Sequence, residues 1–249
     1  MGLATFKGGI HPFDEKELSK DNPIRVVLPK GVLVYPMSQH IGAPAKPLVA
    51  KGDRVLVGQK IGQGAEGTSS NIICSVSGTV KAVEPRLTTA GLMVDSIVVE
   101  NDNEYEAIEG FGQKRDYTKL SKDEILKIIK ESGIVGLGGA AFPTHIKNTP
   151  PDEKKIEYVV INGAECEPYL TSDYRILLEE PEKVISGLKI LLSVFTNAKG
   201  FIAIEDNKPE AIEKVKSLLK DEPNIEVATL PTKYPQGGER HLLYALIGR

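Results

Sequence analysis

The sequence predicts an α+β two-part chain, in which a small all-β unit precedes an α/β unit with a mainly parallel sheet. From about Leu28 to Glu100, short apolar runs rich in Val and Ile alternate with turns that contain Gly and Pro, which is typical of short β-strands. Beyond Leu120, helical patterns alternate with apolar runs, and this alternation predicts parallel strands covered by helices. The predicted divisions are an N-terminal β domain at 1–105, a linker at 106–120 and an α/β domain at 121–249.

The elements of the α/β part have recognisable boundaries in the sequence. Ser121 and Glu124 form a capping box for a first helix, and Gly133 can supply its left-handed end. The later elements follow from the spacing of their apolar residues. They are a strand at 158–161, a helix at about 181–195, a strand at 201–204, a helix at about 209–219, a strand at 225–228 and a helix that begins near 238.

The composition is that of an ordinary globular protein and argues against several functional classes. With 249 residues and a formal net charge of −3, the chain lacks the basic character of a general nucleic-acid binder. No apolar run approaches the roughly 18–20 residues that cross a bilayer, and the N-terminus lacks the order of a secretory signal. We therefore expect a cytosolic protein that reaches a membrane only by docking on a partner.

The chain contains two cysteines, Cys74 and Cys166. They are too few and too far apart to suggest a disulfide framework, and too few for the four thiolates that an iron–sulfur cluster usually takes. Free cysteine is among the most buried residue types. We therefore predict that Cys74 is a buried free thiol.

Part of the β region resembles the biotinyl/lipoyl barrel-sandwich family. The resemblance rests on the strings GDRV at 52–55, GQKI at 58–61 and SGTV at 77–80. In carrier members of that family, a lysine on the hairpin between the two halves of the motif is modified. The corresponding segment here, 62–71, contains no lysine, and an amide-linked prosthetic group needs an amine. We therefore interpret the β unit as a packing or docking module.

A glycine-rich string, GLGGAA at 136–141, matches the letters of the dinucleotide-binding fingerprint without its context. The fingerprint works when a strand enters the loop, whereas a predicted helix precedes this one. Its glycines can bring the backbone close to a flat or anionic ligand, and Lys147 adds a mobile ammonium group. A tight structural turn followed by a solvated lysine explains the same residues equally well.

Three separated strings resemble the NADH-oxidising flavoprotein subunit of respiratory complex I. They are GLGGAAFPTHIK at 136–147, NGAECEP at 162–168 and YPQGGE at 234–239. Two further strings, KGGIHP at 7–12 and QHIGAPA at 39–45, are similar to the start of RnfC, a soluble component of Rnf electron-transport complexes. The resemblance to RnfC spans nearly the whole chain. It implies an N-terminal barrel-sandwich unit followed by a three-layer, Rossmann-like FMN-binding domain.

The resemblance implies that the first string, which we call the glycine loop, binds FMN. The residues that would form the wall of the FMN site are Gly136, Gly138, Gly139 and Ala140. Lys147 would bind the FMN phosphate. Phe142 would lie against the nicotinamide nucleotide, with a place in the core as its alternative.

The second string (162–168) and the third string (234–239) would complete the cofactor site, and the resemblance implies no catalytic acid or base. Asn162 and Glu165 would hold polar groups of the flavin or the bound nucleotide, with Glu167 on the NADH side. Gly237 and Glu239 would close the flavin pocket. The third string departs from the complex I pattern, because a glycine stands where that family has the first of two consecutive glutamates.

The resemblance also implies an activity. FMN would accept hydride from NADH, or return it to NAD, and exchange electrons with iron–sulfur clusters in a membrane-bound, ion-translocating NADH–ferredoxin oxidoreductase. The partners would be ferredoxin and the other subunits of the Rnf complex, on the cytoplasmic side of the membrane. The 4Fe-4S clusters are expected in a cysteine-rich part beyond this chain, which would make the α/β domain truncated at its C-terminal end. A cobalamin reductase-like flavoprotein and a non-catalytic docking module remain as alternatives.

Overall fold

The computed structural model describes residues 4–248, which form two compact units. One unit runs from Val27 to Pro151, and the other joins residues 4–26 to residues 152–248. Residues 4–26 thus belong to the unit that holds the parallel sheet. This division differs from the predicted linker at 106–120, and the predicted domain limits stay a prediction.

The Val27–Pro151 unit contains two antiparallel sheets that share one core. One sheet has the order β1 (Val32–Pro36), β7 (Met93–Asn101), β6 (Gly78–Leu87), β3 (Arg54–Val55), and the other has the order β2 (Lys46–Pro47), β4 (Lys60–Gln63), β5 (Ile72–Ile73). Alternate side chains point inward, as in any half-buried sheet. The core contains Tyr35, Met37, Val55, Ile61, Ile72, Val76, Val80, Ile97 and Val99. Cys74 is buried among them, as predicted.

The same unit carries α1 (Lys122–Glu131), and its capping box is confirmed. The Glu124 amide donates to Ser121 Oγ at 3.3 Å, and the Ser121 amide donates to Glu124 Oε2 at 2.8 Å. Gly133 ends the helix at a φ of +63°, and a Cβ there would lie 2.5 Å from the carbonyl oxygen of Asn71. Glycine is therefore required both by the backbone angle and by this close approach.

The other unit has a parallel sheet with the order β10, β9, β8. Its strands are β8 (Tyr158–Gly163), β9 (Lys199–Glu205) and β10 (Ile225–Leu230), and its helices are α3 (Ser172–Glu179), α4 (Pro181–Leu192), α5 (Pro209–Leu218) and α6 (Glu239–Ile247). Ile202 and Ile204 pack with α3, α4 and α5, whereas Ala203 packs with α6. Because successive side chains of a strand point to opposite faces, helices cover both faces of this sheet. All six predicted elements of this part are confirmed.

Two helices are missing from the predictions. One is the single turn α2 (Thr144–Lys147), and the other is α3. Thr171 precedes α3 without capping it; instead the Glu165 carboxylate accepts hydrogen bonds from the amides of Asp173, at 2.7 Å, and Tyr174, at 3.4 Å. Thr171 and Ser172 are residue types that favour a helix start, so the sequence carries a start signal that the predictions did not use.

Between residues 4 and 248, no helix has the length and apolar character that a membrane span requires.

Candidate functional site

The glycine loop follows α1 in the Val27–Pro151 unit, and its last four residues form α2. Its base is closed by the Gly136 amide, which donates to the Phe142 carbonyl at 3.0 Å. The Ile41 amide donates to the Ala140 carbonyl at 3.2 Å, so the loop contacts the QHIGAPA string of the same unit. Residues 136–140 are exposed.

The glycines of this loop are not required by its own packing. A Cβ built on Gly138 or Gly139 meets no described heavy atom within 4 Å, and one on Gly136 meets only the Phe142 carbonyl oxygen, at 3.8 Å. None of the three has a left-handed φ. Since neither strain nor crowding within the unit explains them, their effect is to leave an exposed backbone that a ligand can approach closely. This open surface fits the flat ring or the phosphate of a flavin nucleotide.

Three side chains in the second half of the glycine loop differ in their exposure to solvent. Lys147 is the last residue of α2 and is exposed. Phe142 is 40% exposed, so the alternative that places it in the core is wrong. His145 Nδ1 is buried and has no hydrogen-bond partner among the described residues, and burial lowers the pKa of this imidazole, with a smaller contribution from Lys130.

In the other unit, the second and third strings meet where β8 ends. Asn162 Nδ2 donates to the Gly237 carbonyl at 2.7 Å, and the Gly237 amide donates to Cys166 Sγ at 3.1 Å. In α/β sheets, ligands bind at the carboxyl ends of the strands, which is where these contacts lie. Cys166 Sγ therefore accepts a hydrogen bond within the candidate site.

Glu165 is buried, and its carboxylate faces the start of α3. Burial raises its pKa, and the Asp173 amide opposes this shift. The backbone at Glu165 is left-handed, with a φ of +53°. The sequence predicted that this carboxylate holds the flavin or the nucleotide; in the structure its hydrogen bonds go to the α3 amides, so at least part of its role is structural.

Lys16, which was not among the predicted site residues, lies beneath the second string. Only 7% of it is exposed. Its Nζ donates to the carbonyl oxygens of Glu165 at 2.9 Å, Glu167 at 2.9 Å and Leu170 at 2.6 Å. Burial lowers its pKa, and the nearby Glu165 charge opposes the shift. The contacts join residues about 150 positions apart, and a single lysine in a polar stretch carries no sequence signal for them.

A second buried lysine, Lys208, holds the start of the same string and was also missed. It is 2% exposed, and its Nζ donates to the Ala164 carbonyl at 2.8 Å, to Asn207 Oδ1 at 2.9 Å and to Glu205 Oε2 at 3.1 Å. Glu205 is fully buried at the end of β9. Burial raises the pKa of Glu205, and the Lys208 charge opposes this.

The third string has two polar features of its own. The negative charge of Glu167 and a hydrogen bond to it raise the pKa of the Tyr234 hydroxyl. Gln236 is fully buried, yet neither polar atom of its side chain has a partner among the described residues. A buried amide without a partner is costly. An unpartnered amide next to Gly237 fits a site that receives a polar ligand.

The third string departs from the complex I pattern at Gly238, and the structure offers a steric reason. A Cβ at Gly238 would lie 2.9 Å from His241 Nδ1 and 3.1 Å from the Pro235 carbonyl oxygen. A glutamate at this position would have to displace His241. Glu239 is exposed as the first residue of α6.

The predicted site residues thus fall into two groups. The α/β unit carries Asn162, Glu165, Glu167, Gly237 and Glu239 on its second and third strings, and hydrogen bonds bring Asn162 and Cys166 to Gly237. Residues 136–147 belong to the Val27–Pro151 unit. Each group fits part of a flavin nucleotide: an open glycine backbone and a lysine in one, and acidic groups with an orphaned amide in the other. Residues 4–248 contain no cluster of three or more His, Cys, Asp or Glu side chains that could hold a metal ion.

Two family models match the sequence. The RnfC barrel sandwich hybrid domain matches residues 4–104. The Nuo51 FMN-binding domain matches residues 129–249, a range that contains the glycine loop and both other strings.

Curated relatives match nearly the whole chain. A component of the proton-translocating ferredoxin:NAD(+) oxidoreductase complex of Clostridium ljungdahlii is 44% identical over 99% of this chain and 54% of its own length. Its counterpart in the Na(+)-translocating complex of Acetobacterium woodii is 44% identical over 98% of this chain and 55% of its own length. The chain belongs to the RnfC family. A third relative, from the ion-translocating oxidoreductase complex of Haemophilus influenzae, is 40% identical over 99% of this RnfC-family chain and 38% of its own length.

Membership in the RnfC family confirms a mixed chain with an N-terminal barrel-sandwich domain and a following FMN-binding domain of the Nuo51 type. The chain spans about half the length of the Clostridium and Acetobacterium relatives. Among solved structures, the NAD+-reducing nickel–iron hydrogenase in the air-oxidized state covers 52% of this chain and 24% of its own, with 24% identity and a TM-score of 0.45. That similarity is too low to support an argument about fold or function.

Proposed function

We propose that this RnfC-family chain binds FMN and NADH and is the site at which hydride enters, or leaves, an ion-translocating ferredoxin:NAD oxidoreductase. The observation that carries the proposal is the meeting of the second and third strings at the carboxyl end of β8, through the Asn162–Gly237 and Gly237–Cys166 hydrogen bonds. Both strings lie within the range that the FMN-binding family model matches. The names of the relatives, which are components of ferredoxin:NAD(+) oxidoreductase complexes, support the substrates.

The glycine loop is proposed to bind the flavin through its backbone. Gly136, Gly138 and Gly139 leave room for a ring or phosphate to approach, with Ala140 beside them, because no side chain covers their backbone. Lys147, exposed at the end of α2, would neutralise the FMN phosphate.

The α/β unit is proposed to bind the polar groups of the flavin and of the nucleotide. Asn162 and Gly237 set the spacing of the two strings, and Glu167 and Glu239 offer exposed carboxylates. Phe142, from the glycine loop, would offer an exposed aromatic face to the nicotinamide nucleotide. Bound FMN supplies the hydride chemistry, and the protein supplies binding and orientation. No side chain of this chain needs to act as an acid or a base in that step.

The finer features are proposals as well. With helices on both faces of its parallel sheet, the α/β unit is compatible with a three-layer, Rossmann-like domain. The electrons would pass to iron–sulfur clusters, for which this chain has only two cysteines, and then to ferredoxin. The other subunits of an Rnf complex would hold the protein on the cytoplasmic side of the membrane.

The decisive experiment is FMN titration of the full-length protein, followed by ferricyanide reduction with NADH. Lys147→Ala should weaken FMN binding by about 1.5–3 kcal/mol, the worth of a hydrogen bond to a charged group. Lys127→Ala, an exposed lysine of α1, is the matched control and should leave FMN affinity unchanged.

Two results would replace the proposal with one of its alternatives. Full-length protein that binds neither FMN nor NADH would favour the non-catalytic docking module. Protein that binds FMN but reduces a corrinoid in preference to the ferricyanide or ferredoxin acceptors would favour the cobalamin reductase. An unchanged FMN affinity in Lys147→Ala would discard only the phosphate assignment.

A further inference from the structure

The first residues of the chain lie against both strings of the α/β unit. We call residues 4–20 the N-terminal arm. Ile10 exchanges two backbone hydrogen bonds with Tyr234 of the third string, at 2.9 and 2.8 Å. The amide of Tyr169, which directly follows the second string, donates to the Asp14 carbonyl at 2.7 Å. One continuous segment therefore contacts the two strings whose meeting carries the proposed function.

Lys16 is a buried contact of this arm. An ammonium group has three donors and no acceptor. All three donors have a backbone carbonyl as partner, and the three carbonyls come from a short segment, 165–170. The segment curves around the Lys16 ammonium group, and Lys16 is largely shielded from solvent.

The bend contains backbone conformations that non-glycine residues seldom adopt. Glu165 and Tyr169 have φ values of +53° and +66°. Left-handed conformations of such residues persist only where the surroundings hold them. Lys16 binds the carbonyl of Glu165 and, with Glu167 and Leu170, the carbonyls on either side of Tyr169, so it is placed to hold both.

The hydrogen bonds of Lys16 also set the direction of an amide in the candidate site. In a planar trans peptide the carbonyl and the N–H point in opposite directions. With the Glu165 carbonyl directed at Lys16, the N–H of Cys166 points away from Lys16. A Cβ built on Gly237 lies 3.7 Å from this Cys166 nitrogen. Lys16 therefore fixes an amide at the place where the second and third strings meet.

We infer that Lys16 is a positioning residue of the flavin site, which holds the 165–170 segment in its binding conformation from beneath. The inference rests on the proposed function, because it assigns Lys16 to the same site. It also gives the N-terminal arm a role that the barrel-sandwich domain match over residues 4–104 does not assign. Among the described residues, Lys16 Nζ donates to backbone carbonyls of segment 165–170, so Lys16 is a positioning residue and not a catalytic one.

The test compares Lys16→Met with Lys20→Met in the full-length protein. Methionine keeps the length of the side chain and removes every donor. Lys20 lies in the same arm, and its ammonium pairs with Glu17 at 2.7 Å rather than with the string, so Lys20→Met is the matched control. Amide hydrogen exchange is measured without FMN, and FMN affinity is measured by quenching of flavin fluorescence.

In Lys16→Met, the amides of segment 165–170 should exchange at least about tenfold faster, while those of β9 keep their protection. FMN should bind about tenfold more weakly, which corresponds to about 1.4 kcal/mol. Lys20→Met should behave as wild type in both measurements. If Lys16→Met does not fold, Lys16→Gln, which retains one donor group, should show the same changes at smaller size.

Several results would overturn the inference. One is unchanged exchange of segment 165–170 in Lys16→Met. Another is equally faster exchange in β8, β9 and β10, which would make Lys16 a general stabiliser. A third is faster exchange of segment 165–170 with unchanged FMN affinity, which would show that Lys16 holds the segment without affecting the flavin site. Failure of the proposed function itself looks different, because wild type and both variants would then all fail to bind FMN.

Discussion

The glycine loop and the second string carry candidate cofactor residues in opposite physical settings. Residues 136–140 of the glycine loop are exposed, and Gly138 and Gly139 have open space where side chains would be. The second string is instead fastened from below by the buried Lys16 and Lys208, which bind its carbonyl oxygens. The comparison shows that glycines can leave a backbone open to a ligand in one region, whereas buried lysines hold the backbone in place in another.

The largest loss of stability is expected where a buried carboxylate loses its cationic partner. Lys208→Met removes the only cation that the structure places in hydrogen-bond contact with the fully buried Glu205 carboxylate, among the described residues. Breaking a buried pair from one side typically costs about 3–5 kcal/mol. Urea unfolding followed by hydrogen exchange in β9 measures this loss.

Two variants control this prediction. Lys199→Met breaks the more exposed pair with Glu226, at 2.6 Å, and should cost no more than about 1 kcal/mol. The double variant Lys208→Met/Glu205→Leu removes both charges and should recover part of the stability. If Lys208→Met were as stable as wild type, the stability of the α/β unit would not depend on the buried charge of Lys208.

The glycine loop should respond in the opposite way, with lost binding and kept stability. In Gly139→Val the new side chain enters open space, so the free energy of unfolding should change by less than about 0.5 kcal/mol. A ligand that approaches the same space would meet a clash of about 1–3 kcal/mol, and FMN affinity should fall accordingly. Thermal unfolding and FMN titration of the same samples separate the two quantities.

Gly78→Ala gives the reverse pattern within the same unit. A Cβ at Gly78 would lie 2.1 Å from the Glu100 carbonyl oxygen on the neighbouring strand, so this variant should lose stability. If Gly139→Val lost stability in the same manner, the loop glycines would be structural, and the comparison between the two regions would fail.

How much the sequence could predict follows the same difference between local and distant contacts. The capping box of Ser121 and Glu124 depends on neighbours in the chain, and it was predicted and is confirmed. For the glycine loop, the residues alone fitted a ligand-binding backbone and a tight structural turn equally well. Lys16 and Lys208 act on carbonyl groups that lie far away in sequence, so no spacing rule reveals them. Helix α3 was missed although Thr171 and Ser172 are residue types that favour a helix start and its cap, Glu165, lies only eight residues before Asp173.

Glu165 tests whether the second string is built for structure as well as for binding. Glu165→Gln replaces one of the two carboxylate oxygens that accept the Asp173 and Tyr174 amides, and it should cost about 0.5–2 kcal/mol, as the loss of a cap does. Burial raises the pKa of Glu165, so the folded state holds the proton more tightly than the unfolded state. Stability from this group therefore grows as the pH falls from neutral toward the ordinary value of 4.5, and is lost as the pH rises through the raised pKa.

The pH dependence is measured as a difference, because other carboxyl groups titrate in the same range. Urea unfolding of wild type and Glu165→Gln at several pH values gives the contribution of this one group, since glutamine does not titrate. Wild type should gain stability relative to the variant as the pH falls. A difference that stays flat would mean that the carboxylate is as well stabilised in the folded state as in the unfolded one. A difference that runs the other way would mean that the folded state favours its charged form.

The smallest effect is expected at the surface of the Val27–Pro151 unit, where Lys60 of β4 pairs with Glu131 of α1 at 2.7 Å. Both side chains are partly solvated, so Lys60→Met should cost only about 0.2–1 kcal/mol, and added salt should reduce even that. The contrast with Lys208→Met is the point of the measurement, because both pairs join a lysine Nζ to a glutamate oxygen, at 2.7 and 3.1 Å, and they differ in burial. Equal costs for the two variants would show that burial does not distinguish the lysines beneath the second string from those on the surface.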